Sequence, residues 1–150
     1  MAILIRTATV TDEEATLDLI EQLFDPPGGR PPAYTRERGS AGFRGAVEHA
    51  DADVLLAFDG GELVGLASVY AAIQSIRSGL RCSLEELVVR DDRRGQDIGG
   101  ELMRASIAWA KKHGCTYLEL TSGNGRVDAH RFYASQGMSQ AAYEFMLWLA

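Results

Sequence analysis

The amino-acid sequence predicts an α/β (α+β) fold in which an antiparallel sheet passes into a parallel pair of strands. Two features lead to this prediction. A tight-turn pattern, Asp59-Gly60-Gly61-Glu62, lies between two apolar runs and is typical of a β-hairpin. Farther along, between residues 83 and 121, a strand pattern, a helical pattern and a second strand pattern follow one another. That order is typical of a crossover between parallel strands.

The length and composition of the chain are those of an ordinary globular protein. Its 150 residues, 46% hydrophobic and 24% charged, predict one domain over residues 1–150. No apolar run approaches the ~20 residues of a membrane span, and the first residues lack a secretory-signal pattern, so we expect a cytoplasmic location without membrane contact. The net charge of −6 argues against nucleic acid as a partner and suits a cationic acceptor.

The two cysteines, Cys82 and Cys115, have neither C-x-x-C spacing nor nearby histidines. Buried free thiols are therefore expected, and the sequence predicts no metal site. Neither cysteine occupies a motif position, so the sequence does not indicate an acyl-cysteine intermediate.

The first third of the chain predicts one strand, two helices and a stiff loop. Residues 3–7 form an apolar strand pattern, and a capping box at Thr11 begins a helix that reaches about Phe24. All four prolines of the chain lie within residues 26–32, which predicts a loop. A second helix is expected within residues 36–49.

The middle of the chain predicts three strands and then the crossover. Strand patterns occupy residues 53–58, 63–72 and 83–89, and a loop or long hairpin connection separates the last two. A helical pattern with a broad apolar stripe then continues to His113, and residues 117–121 form the following strand.

Ten residues, Arg93 to Leu102, join the third of these strands to the helix and contain three glycines. The first N–H groups of a helix have no intrahelical acceptor and carry the positive end of the helix dipole. A phosphate or diphosphate can dock on them, supported by the charge of Arg93 and Arg94. The spacing is neither a dinucleotide fingerprint nor a nucleotide P-loop, so a glycine-loosened helix start without a ligand is the alternative.

Residues Arg94 to Gly99 resemble the acetyl-CoA diphosphate loop of the GNAT N-acetyltransferase superfamily, whose core signature reads Gln/Arg-x-x-Gly-x-Gly/Ala. Asp97 departs from this signature because it stands where the family has its first glycine. As a helix cap it would occupy the N–H groups that a diphosphate needs, and as a free charge it would repel the ligand.

A second stretch resembles the other hallmark of the same family. That hallmark is an asparagine after the fifth strand, then Ala-x-x-Phe-Tyr, and then a glycine followed by a large apolar residue. The matching residues are Asn124, Ala129, Phe132, Tyr133, Gly137 and Met138. Because both motifs occur in the family's order, the chain is identified as a member of the GNAT superfamily.

The resemblance implies the GNAT fold, a mixed central sheet of about six to seven strands flanked by about four helices. It also implies acetyl-CoA as co-substrate, bound through the strand before the glycine turn, the turn itself and the loop after the fifth strand. The implied cofactor-binding residues are Leu87, Val88, Val89, Arg94, Gly95, Gln96, Asp97, Ile98, Gly99, Gly100, Asn124 and Tyr133.

The resemblance further implies two catalytic groups. Tyr133 matches the tyrosine that protonates the departing CoA thiolate, and a general base projects from the strand before the turn. Period-two alternation places Glu85 on the side of Leu87 and Glu86 on the side of Leu84. This parity favours Glu85 as the base, and the alternative for either glutamate is a solvated or salt-bridged strand residue.

The implied reaction is transfer of the acetyl group from acetyl-CoA to a primary amine of a small molecule or peptide by direct attack. Backbone N–H groups near Leu87 to Val89 would stabilise the oxyanion. A non-catalytic CoA-binding or sensing module of the same fold is the first alternative, and a structural interaction domain is the second. The acceptor itself is not named by the sequence, although residues 25–38 are where its specificity is expected.

The last stretch, Tyr143 to Leu149, is close to continuously apolar and predicts a final strand. Such a strand needs cover on both faces, either from the helices of its own sheet or from a partner subunit. A homodimer is therefore one of the two expected arrangements.

Overall fold

The computed structural model describes residues 2–149, in which five strands and four α-helices are present. None of these helices combines the length and the apolar character needed to cross a membrane. In chain order the elements are β1 Leu4–Thr7, α1 Glu13–Glu21, α2 Arg36–Glu48, β2 Ala52–Asp59, β3 Glu62–Ser75, β4 Gly79–Val89, α3 Ile98–Lys112, β5 Tyr117–Glu119 and α4 Val127–Ser135.

The strands form one mixed sheet in the order β1-β2-β3-β4-β5. Neighbouring strands are antiparallel from β1 to β4, and β5 runs parallel to β4. The predicted hairpin joins β2 to β3, where Gly60 and Gly61 have φ angles of 57° and 87°. Both angles are the positive values that a tight two-residue hairpin turn requires. The predicted mixed architecture is confirmed.

Helix α3 covers one face of the sheet. Its buried residues Ile98, Leu102 and Met103 belong to the same apolar cluster as strand residues on that face. A Cβ atom added to Gly65 of β3 would lie only 2.9 Å from Leu102 Cδ1 and 3.1 Å from Ile98 Cγ2. The absence of a side chain at Gly65 therefore lets α3 approach the sheet closely.

Helices α1 and α2 cover the opposite face, where Leu19 and Phe43 pack with sheet residues in a second apolar cluster. Arg36 at the start of α2 forms ion pairs of 2.8–3.0 Å with three acidic residues of α1. The Tyr34 hydroxyl donates to Glu21 Oε2 at 2.6 Å. Exposed ion pairs contribute little to stability. Here, however, the contacts of Tyr34 and Arg36 with α1 fix the position at which the proline-containing loop ends and α2 begins.

Three predicted boundaries differ from those observed. The capping interaction is made by Thr9, whose amide donates to Asp12 Oδ2 at 2.8 Å, and not by Thr11. The α-helical part of the first helix ends at Glu21, and the chain continues as a short 3₁₀ turn, Gln22–Phe24. Strands β3 and β4 are longer than predicted because the predicted connection between them is itself paired, as in Ile73 with Arg81.

The predicted strand count was too high. Residues 139–149 have no regular secondary structure, so the predicted strand from Tyr143 to Leu149 is absent and the sheet has five strands among the described residues. A strand exists only where a neighbour satisfies its backbone N–H and C=O groups. An apolar run alone predicts burial, and the backbone of this one pairs with no strand in the described chain.

Candidate functional site

The centre of the site is the place where β4 and β5 separate. The two strands pair at Arg81 with Tyr117, Cys82 with Leu118 and Ser83 with Glu119, and their pairing ends there. Residues 84–89 of β4 continue in the sheet through β3 alone. Their other edge has no strand partner among residues 2–149, so its backbone groups face a cleft and are available to a ligand.

The cleft has a volume of about 990 Å³. One wall is β4 and the other is the chain that follows β5, while α3 and α4 close the end near the glycine turn. The cleft is lined by residues 84–89, Arg93, Arg94, Gly95, residues 97–100, residues 120–123 and 125–129, Phe132 and Tyr133, and on its outer side by Gln22, Leu23, residues 25–27 and Asp91.

The structure brings together most of the residues predicted from the sequence. Glu85 and every predicted cofactor-binding residue except Gln96 and Asn124 line this cleft. The Gln96 side-chain oxygen accepts a hydrogen bond from Arg93 Nε at 3.1 Å, at the outside of the turn. Asn124 is exposed on the loop between β5 and α4. The assignment of these two residues to the coenzyme remains a prediction.

The glycine turn presents its backbone to the cleft. Gly95 and Asp97 have φ angles of 80° and 62°, and α3 begins at Ile98. The side chain of Asp97 makes no capping hydrogen bond to the helix. Its carboxylate instead pairs with Arg104, two helical turns farther on, at 2.7 Å. The helix amides therefore keep their capacity to bind an anion, and the predicted competition from an Asp97 cap does not occur.

Two further glycines shape the start of α3. A Cβ atom at Gly100 would collide with the Asp97 carboxylate, which lies back over the helix at this point. A Cβ atom at Gly99 would lie 3.3 Å from the ring of Phe132, so this glycine lets α4 approach α3. The uncapped amides, the positive helix end and the nearby Arg94 together form a donor set that fits a diphosphate.

A β-bulge in β4 changes which side chains of the strand face α3 and which face α1 and α2. Ser68 of β3 is opposite Glu86, whereas the next residue, Val69, is opposite Leu84, so Glu85 is the extra residue of the bulge. Leu84 consequently packs in the same cluster as Leu87, on the α3 side. The strict alternation predicted from the sequence is therefore wrong for Leu84, because a bulge inserts one residue and shifts the parity.

The two glutamates lie in different surroundings. Glu85 is exposed, whereas Glu86 is partly buried and bonded to Ser68. The Ser68 hydroxyl donates to Glu86 Oε1 at 3.0 Å, and the Glu86 amide donates to Ser68 Oγ at 3.0 Å. Burial raises the pKa of Glu86 and the charge of Glu85 raises it further, while the Ser68 hydrogen bond opposes both effects.

A second pocket, of about 550 Å³, opens on the α1–α2 side of the same strand. Ser68, Tyr70 and Glu86 form its floor, and its walls are mainly apolar residues of α1, α2 and residues 29–34. The loop in which specificity was expected therefore does border a pocket. Burial, together with the charges of the two glutamates, raises the pKa of Tyr70 to about 12.

Three residues, Leu23, Glu86 and Arg126, line both the cleft and the second pocket. Arg126 Nη2 donates to the Leu23 carbonyl oxygen at 2.6 Å and so connects the loop after α1 to the loop before α4. A Cβ atom at Gly28 would collide with this guanidinium. Sequence reasoning missed Arg126 because its partner lies 103 residues away and no local pattern connects the two.

Tyr133 lies in the cleft, near the same junction. Burial raises the pKa of its phenol above the ordinary value, and the charge of Arg126 partly opposes this effect. The phenol is therefore protonated at neutral pH and is a potential proton donor. The ring of Tyr133 packs edge-on against Phe132, with 5.7 Å between the ring centroids.

Both cysteines are free; Cys82 is buried as expected, whereas Cys115 is only partly buried. Burial, together with Cys115, raises the pKa of the Cys82 thiol to about 12, so this thiol is not a nucleophile at neutral pH. Within residues 2–149, no group of three or more histidine, cysteine, aspartate or glutamate side chains is arranged to hold a metal ion.

Fold and site together define a protein that can hold a diphosphate-bearing ligand between two separating strands, beside a second pocket for a smaller molecule. The model of the acetyltransferase (GNAT) family matches residues 15–138. The chain belongs to that family.

Relatives and solved structures agree with this membership. An aminoalkylphosphonate N-acetyltransferase from Salmonella typhimurium is 34% identical over 90 residues, which cover 60% of this chain and 58% of that protein's length. An uncharacterized N-acetyltransferase from Archaeoglobus fulgidus is 32% identical over 108 residues, covering 71% of this chain and 74% of that protein.

Among solved structures, AAC(6')-Iy in complex with a bisubstrate analogue, CoA-S-monomethyl-acetylneamine, superposes with a TM-score of 0.84. The superposition covers 100% of this chain and 99% of that one. At 16% sequence identity, this similarity shows the fold alone.

The position of Asp97 generates a test of the glycine turn. Asp97→Gly and Asp97→Asn each remove a negative charge beside the proposed diphosphate site, and both residues tolerate a positive φ. We expect both variants to bind CoA several-fold more tightly in isothermal titration calorimetry. Thermal stability should change little, because the side chain caps no helix amide and its ion pair is exposed.

Asp97→Asn is the matched control for this test, because it keeps the size of the side chain. Tighter binding in Asp97→Gly alone would indicate backbone freedom and not charge. Unchanged or weaker affinity in both variants would contradict the idea that Asp97 handicaps the site.

Proposed function

We propose that this chain is an N-acetyltransferase that moves the acetyl group of acetyl-CoA to a primary amine by direct attack. The observation that carries the proposal is the meeting of the cleft and the second pocket at Glu86, while Tyr133 lines the same cleft. One cavity accommodates a long diphosphate-bearing donor, and the other accommodates a smaller acceptor. Glu86, a group that can remove a proton, lies where the two cavities meet, and Tyr133, a group that can supply one, lines the cleft.

The chain's own backbone would hold the donor. The amides at the start of α3 bind the diphosphate, and the unpaired edge of residues 84–89 binds the extended arm as a neighbouring strand would. Acetyl-CoA itself supplies an activated acyl group on a thiol leaving group. Leu87 to Val89 line the cleft, and backbone N–H groups near them would stabilise the oxyanion that forms during transfer.

We propose Glu86, in place of the Glu85 favoured by the sequence, as the general base. Glu86 faces both cavities. Its pKa is raised and is therefore closer to the pKa that suits a general base working near neutral pH. Ser68 holds one carboxylate oxygen and leaves the other available to the amine or to a bridging water. Glu85, the exposed residue of the bulge, serves to turn the strand so that Glu86 points into the acceptor pocket.

Tyr133 is proposed as the general acid that returns a proton to the thiolate. Its raised pKa keeps the proton on the phenol until a strong base forms beside it. A thiolate with a pKa near 8.5 or above becomes such a base as the carbon–sulfur bond breaks.

The second pocket is the proposed acceptor site, and its charges suggest an amine that also carries an anionic group. Arg38 and Arg126 line the pocket, and each donates a hydrogen bond to a backbone carbonyl, of Ala33 and Leu23 respectively. No ion pair between either arginine and a carboxylate is present among the described residues. The name of the Salmonella relative, an aminoalkylphosphonate N-acetyltransferase, supports the same class of acceptor.

The alternative, a CoA-binding or sensing module without catalysis, has the same cleft and needs no acceptor. A structural interaction domain would need neither. The following experiment separates the three functions.

Acetyl-CoA should raise the melting temperature of the protein, because it binds the folded state alone. Thiol release should then occur with some members of a panel of polyamines, aminoglycosides, amino acids, peptides and aminoalkylphosphonates. We expect faster release with anionic amines than with neutral amines of equal length, and an Arg38→Gln variant that loses this preference. Stabilisation without thiol release would favour the sensing module, and no stabilisation would favour an interaction domain.

Glu86→Gln should lower kcat/KM by about a hundredfold, as expected for loss of a general base. The ratio of wild-type to variant kcat/KM cancels the titration of the acceptor amine. Because the pKa of Glu86 is raised, this ratio should fall as pH drops through a value above the ordinary 4.5 of a glutamic acid, since protonated Glu86 accepts no proton.

Glu85→Gln is the matched control for this measurement and should retain activity within a few-fold. The opposite pattern, with loss of activity in Glu85→Gln and retention in Glu86→Gln, would restore the assignment made from the sequence.

Tyr133→Phe should lower kcat by on the order of a hundredfold and leave the KM for acetyl-CoA nearly unchanged, because the phenol acts on the leaving group. With an acyl donor whose thiol is more acidic, the loss of kcat should be smaller, because that thiolate leaves with less need of protonation. Tyr117→Phe is a control outside the cleft lining. Equal losses with both thiols would contradict the role of general acid.

A further inference from the structure

Thr16 of α1 is a buried polar residue whose hydroxyl makes no hydrogen bond. Three polar residues of the described chain are buried, Thr16, Ser68 and Ser106, with exposed fractions of 3%, 4% and 0%. Ser68 is bonded to Glu86, and the Ser106 hydroxyl donates to the Leu102 carbonyl oxygen at 2.8 Å. Of the three, only the Thr16 hydroxyl has no partner within the part of the chain that the structure describes.

An unpaired buried hydroxyl destabilises the folded protein, because the hydroxyl gives up its hydrogen bonds to water and gains none in exchange. A valine at position 16 would have the same shape without this cost. Side chains that oppose folding in this way are typical of binding sites, where a ligand pairs with the group that the protein leaves unpaired. The hydroxyl of Thr16 is therefore a candidate ligand-binding group.

Thr16 lines the second pocket, at some distance from the cleft. Thr16, Ile20 and Leu23 line this pocket at helical spacing, and Leu23 also lines the cleft. Leu23 follows Thr16 by seven residues of helical chain. The two residues therefore lie on the order of 10 Å apart along the helix axis. The pocket thus extends from its junction with the cleft as far as Thr16.

The floor of the second pocket also extends away from Glu86. Glu86 of β4 is opposite Ser68 of β3, and Ser68 is opposite Val54 of β2. Neighbouring strands lie about 4.8 Å apart, so Val54 lies on the order of 10 Å from the glutamate. The buried residues of the second apolar cluster that line this pocket are Phe43, Ala46, Val54 and Leu66. The part of the pocket that reaches toward β2 therefore suits an apolar body.

The chemistry of Thr16 suits a neutral polar group on that body. A hydroxyl both donates and accepts a hydrogen bond, whereas a charged group buried among apolar side chains would lose hydration that one hydroxyl does not replace. The Thr16 hydroxyl is closed to solvent in the free protein. A threonine in a helix populates two χ1 rotamers, so rotation can turn its hydroxyl toward a ligand in the pocket.

We propose that Thr16 is a specificity-determining residue, whose hydroxyl binds a hydroxyl group of the acceptor at the end of an apolar body that extends away from the reacting amine. The proposal rests on the proposed N-acetyltransferase function. It concerns a different part of the acceptor from the anionic group assigned to Arg38 and Arg126. An apolar pocket without such a group would favour an acceptor that ends in a methyl group, because burying an unpaired hydroxyl is unfavourable.

Matched pairs of acceptors test the proposal. Each pair is built on an amine that the acceptor panel shows to be acetylated, extended to increasing chain lengths, with one member ending in a hydroxyl and the other in a methyl group. At the chain length that reaches Thr16, wild-type kcat/KM should be at least about tenfold higher for the hydroxyl member. Thr16→Val should reverse this preference, and Thr16→Ser, the matched control, should keep it.

Two results would overturn the proposal. One is a wild type that shows no preference for the hydroxyl member at any chain length, and the other is a preference that persists in Thr16→Val. Absence of acetylation with every amine of the panel is a different result, because it would refute the proposed function and this proposal with it.

A second measurement needs no acceptor. Because valine removes an unpaired hydroxyl at constant shape, Thr16→Val should raise the Tm of the free protein by on the order of 2–4 °C. A lower Tm would mean that the hydroxyl already has a partner in the free protein, and the proposal would be rejected. A higher Tm together with loss of the hydroxyl preference is a combination that a merely structural role does not produce.

Discussion

The separation of β4 from β5 after the pair Ser83–Glu119 is the constraint on which the rest of the site depends. While the strands pair, their backbone groups satisfy each other, and where they separate, one edge of β4 becomes available to a ligand. The glycine turn and the start of α3 lie at the same end of β4, so the proposed positions of the diphosphate on the helix amides and of the arm along the strand would share one continuous cleft.

The bulge at Glu85 gives this strand two functions. On its edge, β4 borders the cleft proposed for the coenzyme, and on its face it presents Glu86 to the second pocket. Without the extra residue, a strict alternation would place the side chain of residue 86 on the α3 face together with Leu84. One inserted residue therefore decides which carboxylate lies between the proposed donor and acceptor sites.

Much of the fold was predictable from the sequence because its causes are local. The hairpin at Gly60-Gly61, the start of α3 after the glycine turn and the parallel crossover follow from turn chemistry and hydrophobic period, and the structure contains all three. The exposure of backbone N–H groups at the glycine turn was also predictable, since the N–H groups of a helix start belong to consecutive residues. The excess strand was predicted because an apolar run indicates burial without showing what covers it.

The sequence by itself determined the family, the order of the elements from β1 to β5, and the residues of β4 and the glycine turn that line one side of the cleft, because each of these depends on neighbours in the chain. The tertiary structure decided three other features. These are the position of Glu86 between the cleft and the second pocket, the Arg126–Leu23 hydrogen bond, and the ion pair with Arg104 that keeps the Asp97 carboxylate from capping the helix. The first depends on the register between two strands and the second on contact between distant loops. The third depends on which of several partners a carboxylate reaches, and side-chain geometry alone settles that choice.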